Sequence, residues 1–149
     1  MPKTKVLLAR LGQHLYALPI ASVVEVLPDL PMEPIPNCPE FVRGVIFVRG
    51  HLIPVLSAAS RLGLATRQRS AEPNIVCVRT GQRLVGLEFD EALDLIDYSV
   101  AEVLPAQEIG APDGLFTGMF EHEGRFVRLL DPDRLASSDI NDAWMHAVP

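Results

Sequence analysis

The sequence predicts an all-β protein in which two small barrels pack around a shared hydrophobic core and short helices serve only as connectors. Three observations support this prediction. The apolar segments are short and are separated by Gly, Pro or Asp. Long amphipathic helices are missing from the pattern. The first half of the chain resembles the second. With 149 residues, 48% of them hydrophobic, the chain can bury a substantial core and is long for one small barrel.

The predicted strands are rich in Val, Leu, Ile and Phe, as strands generally are. They are the segments 5–11, 15–20, 23–27, 45–48, 52–56, 75–79, 84–89, 93–96, 116–120 and 126–130. Helices are predicted only as single turns at Ser57–Leu62 and Pro132–Ala136, and as a tail helix from about Asp139 to Ala147. The helices therefore look like connectors between strands.

The stretch FVRGVIFVRGHLIPV (41–55) predicts a hairpin closed around Arg49-Gly50-His51. Gly50 supplies the positive φ angle that tight hairpin turns require. Because both strands are almost wholly apolar, we expect both of their faces to be covered, one by a barrel interior and the other by a second apolar surface, in this chain or in a partner. Pro54 cannot donate to a ladder and is expected at a sheet edge or a bulge.

An internal repeat accounts for the length of the chain. Residues 8–27 align without a gap on 77–96, which places Glu25 on Asp94, and residues 44–62 resemble 118–135. Two long copies indicate paired barrels rather than a solenoid, which needs at least three repeats. We therefore predict a single domain over 1–149 with repeats 6–64 and 75–135, compatible with strand exchange between barrels, and a tail or short helix over 137–149.

The two predicted hairpins differ in polarity. The second contains charged residues where the first is mostly apolar, namely Glu121, His122, Glu123, Arg125 and Arg128. Two interpretations stay open: the apolar excess of the first hairpin is a binding face, or it packs one lobe on the other.

Charge and motifs exclude several classes of function. A net charge of −6 without a basic cluster argues against nucleic acid. No segment approaches the roughly 20 apolar residues of a membrane span, and the N-terminal segment lacks the pattern of a secretory signal, so we expect a cytoplasmic protein without direct membrane insertion. Cys38 and Cys77 are expected to be reduced structural thiols. The four histidines show no ligand spacing, and nucleophile and phosphate-loop motifs are missing, so the sequence predicts no enzyme, no cofactor and no metal site.

Two further motifs each allow an alternative. The acidic stretch 88–97 and the pair Asp131 and Asp133 could bind a divalent cation, but a solvated face and a helix start are the favoured interpretations. The prolines between 28 and 39 include PxxP spacings that could dock in an aromatic groove, but a stiff extended crossover is favoured.

Several of these motifs together resemble the CheW-like family of chemotaxis coupling proteins. The resemblance runs from about Val6 to Leu135, and its most specific part is the block PEFVRGVIFVRG at 39–50. It implies two SH3-like β-barrels and a non-catalytic adaptor. Such adaptors join the cytoplasmic tips of chemoreceptors to the regulatory domain of a CheA-type histidine kinase at membrane receptor arrays.

The resemblance also implies a partner-binding site. Arg49 matches the arginine of the family's turn motif, and Glu25 matches a glutamate that pairs with it; a pair that stabilises the fold without contacting a partner is an alternative interpretation. Val23 and Gly44 match positions linked with receptor contact, although a core valine and a turn glycine are equally good interpretations. Phe47 stands where the family has Asn and is included in the predicted receptor groove because an aromatic residue would enlarge an apolar contact.

A second departure from the family is Ser57-Ala58-Ala59 in place of Asp-Leu-Arg, which puts polar partner contacts there in doubt; Ser57 is still expected to cap the following turn. These departures leave an alternative function open, a diverged interaction domain of another signalling assembly such as twitching motility or a second-messenger pathway.

The family's ring formation with the kinase domain suggests weak self-association. The output pathway, and the role of the tail with Trp144, do not follow from the sequence.

Overall fold

A computed structural model describes residues 3–64, 70–81, 83–106 and 114–136. In these ranges the chain forms eleven strands and two short helices. The strands are β1 (Lys3–Leu11), β2 (His14–Pro19), β3 (Val23–Leu27), β4 (Val42–Val48), β5 (His51–Ser57), β6 (Asn74–Thr80), β7 (Arg83–Phe89), β8 (Glu91–Ser99), β9 (Leu104–Pro105), β10 (Phe116–His122) and β11 (Arg125–Leu130). The helices are α1 (Ala58–Arg61) and α2 (Pro132–Ala136). All ten predicted strands and both connector helices are confirmed; the predicted tail helix lies outside the described residues.

The strands form two sheets, each of which curls into a small barrel. The first barrel has the strand order β8-β1-β2-β11-β10-β9, and the second has the order β3-β6-β7-β5-β4. In the first barrel β9 follows β8 along the chain and pairs with β10, so the chain itself joins the two edges. In the second barrel Glu33, which follows β3, forms a bridge to Val45 of β4. The prediction of two small barrels is therefore confirmed.

Equivalent strands of the two halves occupy equivalent places in the two barrels. The alignment of the halves places β1, β2 and β3 on β6, β7 and β8, and β4 and β5 on β10 and β11. With this correspondence the two strand orders are the same. Each barrel contains the first two strands of one half and the remaining strands of the other, which are three in the second barrel and, with β9, four in the first. This equivalence supports the proposal of an internal repeat over 6–64 and 75–135.

Alternating side chains divide the apolar residues among three clusters. Val6 and Leu8 of β1 lie inside the first barrel, whereas Leu7 and Ala9 lie in the core that the two barrels share. Strands β5 and β6 alternate in the same way between the interior of the second barrel and the shared core. A strand with a core on each side must be apolar at successive positions, which explains the long apolar runs.

Three details differ from the sequence predictions, and a fourth narrows one of them. Strand β9 was not predicted, because a pair of residues has no periodicity to detect. His51 belongs to β5, so the hairpin turn consists of Arg49-Gly50 alone. Strand β5 lies between β7 and β4, so Pro54 is not in an edge strand; it is accommodated because the ladder with β7 begins only at Val55. The outer face of β4, which was expected to be covered by this chain or by a partner, is not covered by the described chain at its turn end, where Phe47 is exposed.

Candidate functional site

The turn between β4 and β5 places Arg49 at the tip of a tightly closed hairpin. Val48 and His51 form the last pair of the ladder, which leaves Arg49 and Gly50 as the turn. Their φ angles are 49° and 80°, and positive values at both central residues are typical of a type I′ turn. The twist of such a turn matches that of the strands, so the direction in which Arg49 leaves the hairpin is fixed by the backbone.

Arg49 forms a hydrogen-bonded ion pair with Glu25 of β3 through its Nη1 atom. The predicted pairing of these two residues is thus confirmed. The Glu25 side chain is 26% exposed and that of Arg49 is 70% exposed, so the carboxylate is held near the barrel while the guanidinium faces outward. The hydrogen bond to Glu25 raises the pKa of Arg49. The pair ties the tip of the hairpin to the strand at the opposite edge of the sheet.

Val23 and Gly44 lie below the surface. Val23 is half-buried and packs against the shared core. Gly44 is buried within β4, at a bulge in its pairing with β5, and is not a turn residue. A Cβ atom at Gly44 would lie 2.6 Å from the backbone oxygen of Glu33, and the φ angle of Gly44 is +150°. We conclude that Gly44 allows the segment after β3 to approach β4 closely.

Phe47 lies on the outer face of β4 with 70% of its surface exposed. Its partner across the ladder is Leu52, which is half-buried. The neighbouring pair on the same face is Val45 and Pro54, and the next is Val42 and Leu56 in the shared core. An apolar stripe therefore leads from the shared core to the tip of the hairpin, where it ends in an exposed aromatic ring.

The equivalent hairpin of the first barrel has the same backbone and different chemistry. Its turn is Glu123-Gly124, with φ angles of 51° and 77°. The residue aligned with Glu25 is Asp94, so the first barrel has two acids where the second has an ion pair. The residue aligned with Phe47 is Glu121, which faces Phe126 across the ladder. The difference that the sequence indicated between the two hairpins therefore lies at their tips.

Sequence reasoning did not identify the two buried carboxylates of the acidic stretch. Glu88 and Asp90 are buried, whereas this stretch was predicted to be a solvated face; that prediction is wrong for these two positions. The Nε atom of Arg43 lies 3.5 Å from the Oε1 atom of Glu88. Asp90 accepts a 2.6 Å hydrogen bond from the Gly12 amide. Burial of an acid depends on such partners, which are far away in the sequence.

The segment that follows β5 begins with a helix cap and packs into the shared core. Ser57 accepts a 3.1 Å hydrogen bond from the Ser60 amide, which confirms its capping role. Ala58 and Ala59 are buried in the shared core, so the positions at which polar partner contacts were in doubt are not on the surface. Asp131 likewise accepts hydrogen bonds from the amides of Asp133 and Arg134, as expected at a helix start.

The described residues offer little that would suggest catalysis. Over residues 3–64, 70–81, 83–106 and 114–136, no three His, Cys, Asp or Glu side chains are grouped so that they could hold a metal ion. None of the helices in these ranges has the length and hydrophobicity needed to cross a membrane. Cys77 is buried beside the Glu25–Arg49 pair, and burial raises the pKa of its thiol to about 11. A thiol of this kind is unreactive at neutral pH.

The fold and the hairpin tip define a class of protein: a domain of two barrels that presents interaction surfaces. Comparison with known proteins gives the family. The model of the CheW-like domain matches residues 5–139, and the chain belongs to this family. It is accordingly a non-catalytic scaffold protein of chemotaxis and related signalling.

Individual relatives agree with this assignment. The chain is 27% identical over 136 residues to "Chemotaxis protein CheW" of Rhizobium meliloti, covering 90% of this chain and 88% of the relative. It is 29% identical over 104 residues to "Protein FrzA" of Myxococcus xanthus, covering 70% and 65% of the two chains. The crystal structure of the scaffolding protein TtCheW from Thermoanaerobacter tengcongensis is similar with a TM-score of 0.82 and 26% identity, covering 93% of this chain and 95% of the other.

Proposed function

We propose that this protein couples the cytoplasmic tips of chemoreceptors to the regulatory domain of a CheA-type histidine kinase. It would act in the cytoplasm, recruited to receptor arrays at the membrane. The main support is the Glu25–Arg49 ion pair, which brings together two residues of the predicted receptor groove. Membership in the CheW-like family supports the same function.

The receptor would contact the partly exposed Glu25 of β3 and two exposed side chains of the β4–β5 hairpin. We call this set, Glu25, Phe47 and Arg49, the hairpin surface. A guanidinium has five N–H donors, so Arg49 can hold Glu25 and still donate to a carbonyl or carboxylate on a receptor helix. Val23 and Gly44 would contribute indirectly, because Val23 supports β3 from the core side and Gly44 sets the path of β4.

Binding titrations test this proposal. The wild type and the Arg49→Ala variant would be titrated separately with a receptor tip fragment and with the kinase regulatory domain. We expect the wild type to bind both partners, and Arg49→Ala to bind the receptor tip at least about tenfold more weakly, as at a binding hot spot. Glu123→Ala is the matched control, because Glu123 occupies the equivalent turn position in the first barrel.

Two outcomes would contradict the proposal. If a folded wild type bound neither partner, the coupling function would be wrong. If it bound the receptor tip and Arg49→Ala bound equally well, the receptor would lie elsewhere on the molecule. Sedimentation velocity of the free protein over a range of concentrations would test the predicted weak self-association in the same preparation.

A second candidate function is an interaction domain of another signalling assembly, such as twitching motility or a second-messenger pathway. It is favoured by Phe47, which differs from the Asn of the family motif and is exposed on the hairpin surface. The similarity to "Protein FrzA" and to "Protein PilI" of Pseudomonas aeruginosa is compatible with it. Failure to bind chemoreceptor tips, together with retained binding to a kinase domain, would favour this candidate.

A further inference from the structure

We propose that Phe47 is an apolar anchor that determines which receptor the hairpin surface accepts. Its preferred partner would be a receptor-tip helix with an uncharged recess of small apolar residues, into which the ring inserts. This inference rests on the proposed function, because it specifies the partner of the same surface.

Continuity with the core is the first argument. The pairs Val42–Leu56 and Val45–Pro54 carry the apolar stripe outward from the shared core, and Phe47 with Leu52 completes it at the tip. Phe47 has the largest exposed fraction among the exposed large hydrophobic residues of the described chain, at 70%. A ring that extends a buried apolar stripe can be covered by a partner without burying an unpaired polar group beside it.

The charges next to the stripe are the second argument. Arg49 at the tip is paired with Glu25, and Arg43 near the base of the same strand lies 3.5 Å from Glu88. Each cation of the hairpin is thus matched by a carboxylate of this chain. A charged group of a partner packed against Phe47 would lose its hydration, and no unpaired charge of opposite sign on the hairpin would compensate for that loss. Charge complementarity therefore favours an uncharged occupant at the ring, whereas polar groups of the partner would contact Arg49.

The rigidity of the hairpin is the third argument. The two-residue turn and the ion pair fix the hairpin before binding, and a phenylalanine side chain has only two rotatable angles to restrain. An anchor that is already positioned loses little entropy on binding and discriminates well between recesses of different shape. In the first barrel the stripe is interrupted, because Glu121 stands at the equivalent position and faces Phe126.

The test uses four full-length proteins: the wild type, Phe47→Leu, Phe47→Asn and Phe126→Asn. Phe126 is the matched control, since it is an aromatic residue of the other hairpin with 58% of its surface exposed. Each protein would be titrated with tip fragments of several chemoreceptors from one organism and with the kinase regulatory domain. Urea unfolding would first verify that all four proteins are folded.

We expect Phe47→Asn to weaken binding to the preferred tip at least about tenfold and to reduce the ratio of affinities between preferred and other tips. Phe47→Leu should keep the order of preference with a smaller loss of affinity. Phe126→Asn should stay within about twofold of the wild type, because Phe126 belongs to the other sheet and not to the hairpin surface.

The outcomes separate this inference from the proposed function. If the wild type bound no receptor tip, the proposed function would fail and the inference with it. If the wild type bound tips with clear preferences and Phe47→Asn reproduced both affinities and preferences, only the role of Phe47 would be refuted. Equal losses in Phe47→Asn and Phe126→Asn would likewise refute it, because any exposed aromatic residue would then have the same effect.

Discussion

Replacing Gly44 with alanine should destabilise the fold, although Gly44 belongs to the residues that the family resemblance links with receptor contact. The added Cβ would lie 2.6 Å from the Glu33 oxygen and 3.2 Å from the Met32 Cβ. Real Cβ atoms essentially never lie within 3.0 Å of another heavy atom in this way. The segment after β3 would have to move away from β4.

The expected cost follows from what this movement breaks. Two backbone hydrogen bonds join Glu33 and Val45, with N–O distances of 2.9 and 2.8 Å. Each contributes about 1 kcal/mol net. A side chain at a φ of +150° adds about 1–3 kcal/mol of backbone strain. We therefore expect Gly44→Ala to reduce the free energy of unfolding by about 3–5 kcal/mol, a large share of the roughly 5–15 kcal/mol typical of a domain.

Urea unfolding would measure this loss, with Gly50→Ala as the matched control. Gly50 also has a positive φ, +80°, but a Cβ there would meet nothing within 4 Å. Gly50→Ala should thus lower the free energy of unfolding only by the strain of an alanine in the left-handed conformation, about 1–2 kcal/mol. If Gly44→Ala cost no more than Gly50→Ala, the close approach of Glu33 to β4 would be refuted. Any loss of receptor binding by Gly44→Ala should be accounted for by its unfolded fraction and the displaced hairpin.

Two further predictions concern stability alone. Ser57→Ala should lower the free energy of unfolding by about 1 kcal/mol, because the Ser60 amide loses its cap, and Ser57→Thr should restore most of it; equal urea midpoints for all three proteins would exclude the cap. Because the pKa of Cys77 rises from 9.0 to about 11 on folding, burial of its neutral thiol makes a contribution to the free energy of unfolding that is intact below pH 9. This contribution is lost as the pH rises towards 11. The urea midpoint of the wild type should fall more than that of Cys77→Ala between these pH values; parallel curves would contradict this.

The strands could be predicted from the sequence because each is a short apolar run with turn residues at its ends. Gly50 and Ser57 were predictable for the same reason, since a turn glycine and a capping serine act through local geometry. Strand β9 was not, because Leu104–Pro105 forms a strand only through its pairing with β10. Local chemistry is present in the sequence, whereas pairing between distant segments is not.

The candidate site was predictable in part. The pairing of Glu25 with Arg49 came from the family resemblance, because nothing in the local sequence joins β3 to a turn 24 residues away. The exposure of Phe47 agrees with its place in the predicted receptor groove, although its apolar run alone does not show whether this chain or a partner covers the ring. The burial of Glu88 and Asp90 was missed, because a charged stretch is expected to face solvent unless its partners are known.

Comparison of the two barrels distinguishes features that both need in order to form from features that occur in one barrel. Both barrels close through a backbone bridge, between Glu33 and Val45 in one and between Leu104 and Met119 in the other. Both hairpins also keep glycine with positive φ in their turns. Among the described residues, a carboxylate–guanidinium pair joins the hairpin tip to the opposite edge strand in the second barrel, whereas Asp94 and Glu123 take these places in the first. Since the first barrel forms without such a pair, closure of the fold does not require Arg49. This comparison supports the proposal that Arg49 presents the hairpin to a partner.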